Sequence, residues 1–562
     1  MRGKIEKALV EITGENVRLE HPTEASHGDY STNIAMVLAK KEGKKPLELA
    51  EEIAGELRGM GELGVEKIEV APPGFINFWF SEKVLLKELK RAWKGGVGGY
   101  GGVGGLEGRK IIIEYTDPNP FKEFHIGHLY SNAVGESIAR LLEASGAEVK
   151  RVNYQGDIGM HVAKAVWGMR QSEVSENEPL DHWASKPPSV RANFLGKAYA
   201  LGASEFEKDK SVKKEITKLN EEIYKRGPEI EEYRLGKQWS LEYFEEIYKR
   251  LGTHFDRLYF ESEAGRVGLK LVKDYLKKGV FEESEGAVIF PGKKYGLHNR
   301  VFINSQGLPT YEAKELGLAP TKYKDFPYDQ SIIVTGNEIN EYFRVVLEAL
   351  KRINPELAVK TKHISHGMVR LPEGKISSRL GNVLSGEWLL NEANDRLQSK
   401  YKMADDIAEQ VVVGAVKYAL LRSNIGTDII FDLETSLSLE GDSGPYLQYT
   451  YARTQSVLGK AKMGEMGNVG EMRVNPEELT LLRTFYKFPE VVQEAAQNFS
   501  PNLLCNFLYD FATKYNRLYN THRILDAESE EAKNFRLALT KVTGNILKSG
   551  LGLLGIQAPE KM

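Results

Sequence analysis

The chain has 562 residues, 41% of them hydrophobic and 28% charged, which suits two to four soluble globular domains with proper cores. No run of about 18 uncharged apolar residues occurs, which excludes a membrane-spanning helix. A single cysteine, Cys505, excludes a disulfide framework and any cysteine-cluster zinc site. Lys and Arg number 76 against 79 Asp and Glu, so the formal charge of −3 neither requires nor forbids nucleic acid, because a neutral total can hide a basic face. The opening stretch Met1–Lys7 mixes charges and lacks the apolar centre of a secretory leader, so the expected compartment is a reducing cytoplasm.

In chain order, residues 1–94 read as a small α/β unit. Leu47, Leu49, Ile53 and Leu57 mark a helix over 45–63, and alternation over 70–80 marks a strand. Nine of the fourteen residues from 95 to 108 are glycine, the composition of a flexible linker. A β-branched run at 111–115 predicts a buried strand, and two prolines at 116–120 predict a loop. Leu129, Ala133, Ile138, Leu141 and Leu142 then predict a helix over 126–145 that stops at Gly146. A further strand over 148–154 completes a strand–helix–strand unit and hence a parallel sheet. The charged, helix-rich stretch from about 170 to 250 reads as an insertion. Strand-like runs return at 287–290, 301–304 and 330–335, and beyond about 390 the pattern is helical to Met562.

Two segments carry chemistry. In Asp117-Pro-Asn-Pro-Phe-Lys-Glu-Phe-His125-Ile-Gly-His128 the histidines are three apart at a helix start, on one face and near free backbone N–H groups that suit a phosphate. Gly127 removes a side chain between them, so a flat ring can approach. Two neutral imidazoles there can donate to phosphoryl oxygens as charge builds. Alone, such a pair is as well explained by two surface histidines. The second segment, Pro372-Glu-Gly-Lys375-Ile-Ser377-Ser378-Arg379-Leu-Gly-Asn382, is a cationic loop able to wrap a polyphosphate, although by itself it is an ordinary solvated basic turn.

Together the two motifs carry the signature of class I aminoacyl-tRNA synthetases, and further segments make the chain resemble the arginyl-tRNA synthetase family over nearly its whole length. Glu114–Asn119 with Lys122 is similar to that family's approach to the histidine signature, and Val152–Gly159 to its next strand end. Gly307–Glu315 is similar to a substrate-binding Tyr-x-x-x-Asp segment, and Gly444-Pro-Tyr446-Leu-Gln-Tyr449-Thr-Tyr451-Ala-Arg453 to the start of its anticodon-binding domain. Two positions depart from the pattern. Glu315 stands for the usual aspartate, and Ser378 for the second signature lysine, whose part Lys122 is thought to take.

The resemblance implies an α/β fold: a Rossmann-like parallel-sheet catalytic core, a small N-terminal α/β domain and an all-α C-terminal anticodon-binding domain. The expected division is 1–94 for a domain that touches the tRNA elbow, 95–108 for the linker, 109–390 for the catalytic domain with its helical insertion at about 170–250, 391–434 for connecting helices, and 435–562 for anticodon binding. The implied activity is ATP-driven attachment of arginine to tRNA, with Mg2+ accompanying ATP and no structural zinc, in a cytoplasmic monomer without a membrane partner. His125, His128, Lys122 and Lys375 are the implied catalytic residues. Gly127, His125, His128, Lys375, Ser377, Ser378 and Arg379 would hold ATP. Asn119, Glu261, Tyr311 and Glu315 would hold arginine, with carboxylates accepting from the guanidinium and Tyr311 packed on its face. Tyr446 and Tyr449 would stack on tRNA bases, supported by Tyr451 and Arg453. A small-molecule adenylyltransferase also uses such a histidine pair but leaves the C-terminal helices unexplained. A non-catalytic tRNA-binding relative would be expected to lose signature residues that are intact here.

Overall fold

A computed structural model describes residues 1–61, 63–102, 104–176, 179–372, 384–461 and 474–562. The chain forms two compact units, the larger made of Gly101–Arg453, Val491–Asp510 and Leu547–Met562, the smaller of Met1–Tyr100, Thr454–Glu490 and Phe511–Ile546.

The larger unit is built on five parallel strands in the spatial order Thr361–His366, Gln330–Gly336, Lys110–Glu114, Glu148–Gln155, Arg257–Phe260. Numbered along the chain, that order is the Rossmann one, with its reversal beside the first strand. Ile111, Ile112, Ile113, Val152, Ile332, Ile333 and Val334 are almost wholly buried, as befits strands covered on both faces. The helix expected after the first strand runs Ile126–Ala144, and the strand expected at 148–154 runs Glu148–Gln155.

Two features differ from the sequence reading. The runs near 287–290 and 301–304 form strands Ala287–Phe290 and Arg300–Ile303 of a separate antiparallel sheet with Glu282–Ser284. The remaining parallel strands are Arg257–Phe260 and Thr361–His366, whose polar and charged residues hide them from a hydrophobicity reading. The helical insertion comprises Met160–Glu176, Leu180–Ala184, Pro188–Lys208, Lys210–Arg226 and Glu231–Leu251, around a core that includes Val166, Phe194, Leu195, Ile216 and Trp239.

In the smaller unit, strand Tyr30–Thr32 pairs antiparallel with Phe75–Phe80, which pairs with Val65–Ala71. The single strand read over 70–80 is thus the hairpin's turn and second arm, with Pro72-Pro73-Gly74 reversing the chain. Helix Glu82–Gly99 runs into the glycine-rich segment and leaves helical geometry at Gly96. Tyr100 folds back, buried, and its hydroxyl donates to Glu88 at 2.7 Å. Within this unit the N-terminal residues share buried polar contacts with the C-terminal helices. Asp29 bonds Arg483 and Tyr486, while Glu490 accepts from Tyr30 and Arg2 and contacts His21.

Helices Met160–Glu176 and Pro188–Lys208 touch backbone to backbone. A Cβ on Gly168 would lie 1.9 Å from the Ala198 carbonyl oxygen, and one on Gly202 would lie 2.0 Å from that of Lys164. Nothing larger than hydrogen fits without pushing the helices apart. Gly168→Ala is therefore expected to lower stability by about 1–3 kcal/mol, read as a lower urea midpoint with an unchanged slope.

Candidate active site at the carboxyl end of the parallel sheet

In an open parallel sheet the crevice for ligands lies beyond the carboxyl ends of the strands, where the strand order reverses. Here that point is beside Lys110–Glu114, and the loop leaving this strand runs to His125. Thr116, Asp117 and Phe121 in this loop have φ of 79°, 46° and 66°, a left-handed conformation costly for side chains of this size. Surrounding bonds hold them there. The Thr116 amide donates to Ser131 Oγ at 2.9 Å, the Tyr154 amide to Asp117 Oδ1 at 2.7 Å, the Gly156 amide to Asn119 Oδ1 at 3.0 Å, and the Phe121 amide to Ser240 Oγ at 2.9 Å.

The loop delivers His125 to the N-cap of Ile126–Ala144. The His125 amide donates to His128 Nδ1 at 3.1 Å, and the His125 ring accepts from the His128 amide in return. The rings stack at 3.5 Å and 19°. A Cβ on Gly127 would come within 3.0 Å of the His125 ring, so this glycine first of all makes room for its own neighbour. Burial, reinforced by Lys122, lowers the His125 pKa to about 4, and burial with His125 and Lys122 pushes His128 well below the usual range. Both are neutral near pH 7. With Nδ1 of His128 accepting, its proton must sit on Nε2, a donor free to meet an acceptor.

Lys122 stands over these rings as a partly buried ammonium with no ion pair among the described residues. Its Nζ lies 5.2 Å from the centre of the Tyr199 ring, and burial and Lys164 lower its pKa. His161, which the sequence reading passed over, bonds the Gly156 carbonyl through Nε2 at 2.9 Å. Burial, then Lys122, lowers its pKa to about 4. Lys375, Ser377, Ser378 and Arg379 lie outside the described residues. The residues that follow them are docked on the histidine helix: the Ile126 amide donates to Leu384 O at 3.0 Å and the Gly386 amide to Phe124 O at 2.7 Å.

The residues expected to hold arginine meet on one side of this crevice. Glu261 begins the helix after strand Arg257–Phe260, 6% exposed, and accepts from Lys314 Nζ at 2.7 Å. Lys314 also lies 4.9 Å from the Tyr311 ring centre. Glu261 and Tyr311 thus already share a cation supplied by the chain, a correction to the picture of an unpaired acceptor. Glu315 is different: half-buried, it makes no ion pair or hydrogen bond among the described residues. Burial and Glu114, opposed by Lys322, push its pKa up to about 8. Nearby, the buried Tyr154 hydroxyl has no hydrogen-bond partner. Asp117, Tyr154, Lys314 and Lys322 were not anticipated as pocket residues. Lys314 lies inside the segment quoted for Tyr311 and Glu315 and reads there as a spacer.

On helix Gly444–Gly459, Tyr449 is exposed and stacks under the Arg453 guanidinium at 4.9 Å, whereas Tyr446 is half-buried against Tyr509. Tyr451 does not join that surface. It is 2% exposed, on the inner face of the helix.

Burial sets a pH dependence of sign opposite to that of an ion-paired histidine. Each imidazole must lose its proton to fold, so acidification below the unfolded value near 6.5 favours the unfolded chain until the folded value is reached. NMR titration of the ring protons should show His125 and His161 turning over near pH 4, with stability falling between pH 6.5 and 4.

Three family models match in succession: the arginyl tRNA synthetase N terminal domain over residues 1–80, the catalytic domain of the class I (R) tRNA synthetases over 99–433, and the DALR anticodon binding domain over 447–562. The chain is 31% identical to the arginine–tRNA ligase of Treponema denticola and 30% identical to that of Parabacteroides distasonis, in each case over 98% of this chain and 96% of the relative. Thermus thermophilus arginyl-tRNA synthetase superposes with a TM-score of 0.81 at 25% identity, covering 100% of this chain and 99% of that one. With the parallel sheet and the paired histidines where that fold requires them, the chain belongs to the class I arginyl-tRNA synthetases.

Proposed function

We infer that the crevice runs both steps of an arginine–tRNA ligase. In the first, a carboxylate oxygen of L-arginine attacks the α-phosphorus of ATP, the bond to the bridging oxygen breaks, and pyrophosphate leaves with arginyl-adenylate formed. In the second, a ribose hydroxyl at the 3′ end of tRNA attacks the carbonyl carbon of that adenylate. The hydroxyl loses its proton, an ester forms, and AMP departs.

The observation that carries this reading is the pair of neutral, cross-bonded histidines under an unpaired lysine. Negative charge accumulates on phosphoryl oxygens as the bond to pyrophosphate stretches. Neutral N–H donors and one ammonium, already oriented in a site of low polarity, stabilise that charge without reorganising. His128 offers Nε2–H, His125 its outward ring nitrogen, and Lys122 its charge. Gly127 leaves the floor open for the nucleotide. Lys375, Ser377, Ser378 and Arg379 complete the phosphate cradle in this reading, supported by the docking of Leu384 and Gly386 beside the histidines. Mg2+ comes as the companion of ATP, held chiefly by phosphate oxygens.

For arginine, Glu315 is the free carboxylate that faces the guanidinium, Tyr311 offers its exposed ring, and Glu261 acts through the oxygen that Lys314 leaves. Asn119 reaches the α-amino and carboxylate end. Residues 1–94 serve the tRNA elbow and the C-terminal helices the anticodon arm, with Tyr449 and Arg453 as an exposed stacking pair and Tyr446 beside them. The protein works as a cytoplasmic monomer in this reading. No helix among the described residues is long and apolar enough to cross a membrane.

ATP–pyrophosphate exchange with arginine and tRNA present tests the phosphate assignment. His125→Ala and His128→Ala should each lower the rate by about 100- to 1,000-fold, and near-wild-type exchange in both would refute it. Lys122→Ala should lower kcat more than it raises the KM for ATP, because its contact strengthens as charge develops. Tyr449→Ala should weaken tRNA binding by about 1–3 kcal/mol while leaving the KM values for arginine and ATP unchanged. Point variants suit this question better than truncation, since Val491–Asp510 and Leu547–Met562 belong to the same compact unit as the parallel sheet.

A further inference from the structure

The charge balance of the amino-acid pocket is incomplete without a ligand. Glu114, Asp117, Glu261 and Glu315 gather at the carboxyl ends of the first and third strands and on helix Tyr311–Asp325. Two ammoniums answer them. Lys314 is bonded to Glu261 and Lys322 to Glu114, each at 2.7 Å and each nearly sealed from solvent. Glu315 and Lys322 are two helical turns apart on one face, so the Glu114–Lys322 pair draws Glu315 toward the loop that carries Asp117. Asp117 and Glu315 are both half-buried, and neither has an ion pair among the described residues. Asp117 accepts only the Tyr154 amide, through Oδ1.

We propose that Asp117 is a further specificity-determining residue: with Glu315 it forms an acid pair that holds one proton in the free protein and releases it when the cationic side chain of the substrate enters. The proposal rests on the reading of this pocket as the arginine site. Two like charges in a poorly solvated space cannot both ionise freely, and a proton bridging them is the lowest-cost neutraliser until a cation arrives. Every group facing the pair favours this. Around Asp117 stand Glu114, Glu315, Lys322 and the Tyr248 hydroxyl. Around Glu315 stand Glu114, Lys322 and Glu261, with the Tyr154 and Tyr342 hydroxyls beyond. The only cations among them are already spent on Glu114 and Glu261. Burial and the neighbouring carboxylates raise the proton affinity of both members of the pair. A planar guanidinium can donate to two carboxylates at once, so it replaces the proton across the pair, whereas a neutral side chain of the same shape displaces nothing.

The sign follows from linkage. A ligand that binds best to the deprotonated pair gains affinity as pH rises toward about 8 and gains nothing further above it. The experiment is calorimetric titration of the full chain with L-arginine, at one near-neutral pH, in phosphate, HEPES and Tris, whose ionisation heats differ. The expected result is release of about one proton per arginine bound, with affinity rising up to about tenfold per pH unit below the turnover. Asp117→Asn should at least halve the release and flatten the pH dependence. Arginine binding in the wild-type protein with no proton released would overturn the proposal and leave the arginine pocket standing. Asp117→Asn with unchanged affinity and unchanged release would remove Asp117 from it. Complete absence of arginine binding would instead overturn the reading of the pocket on which it rests.

Discussion

The loop between Glu114 and Ile126 is the constraint on which the site depends. It leaves the central strand at the reversal of strand order, passes three left-handed side-chain-bearing residues, and must still deliver His125 to a helix N-cap. That backbone is held by hydrogen bonds from Ser131, Tyr154, Gly156 and Ser240, which lie on the histidine helix, the neighbouring strand and its exit, and the insertion. Strain of this kind persists only where the surroundings over-determine it. The helical insertion thereby helps fix the loop, since Ser240 belongs to Glu231–Leu251.

Burial then does two different jobs a short distance apart. At the histidines it removes charge, leaving neutral donors beside a lone lysine, a setting suited to an anion whose charge grows during reaction. In the amino-acid pocket it acts on carboxylates, and two of four find lysines while two do not. The first environment is short of negative charge and the second is short of positive charge. A substrate pair of polyphosphate and guanidinium satisfies both.

The motifs were legible because they are local. His125, Gly127 and His128 sit within one helical turn, and the strand before them and the helix after them follow from β-branched and 3.6-residue patterns that need no distant partner. The all-helical C-terminal half and the inserted helices were legible for the same reason. Strands Arg257–Phe260 and Thr361–His366 were not: their residues are too polar to register as core, and they are strands because the sheet offers them a backbone ladder. The inward turn of Tyr451 was equally hidden, since a tyrosine two residues from an exposed one looks the same in sequence whichever way the helix is rotated.

By itself, then, the sequence determined the family, the order of elements and the identity of the phosphate-facing side chains, because spacing along one helix or loop settles which groups are neighbours. Only the tertiary structure decided the ionic state of the pocket. Lys314 with Glu261, Lys322 with Glu114, and Asp117 near Glu315 are pairings across 53, 208 and nearly 200 residues. Charge and proton affinity depend on what is packed within a few ångströms and on how much water is excluded. Neither is a property of any stretch of chain until the sheet and its helices have closed around it.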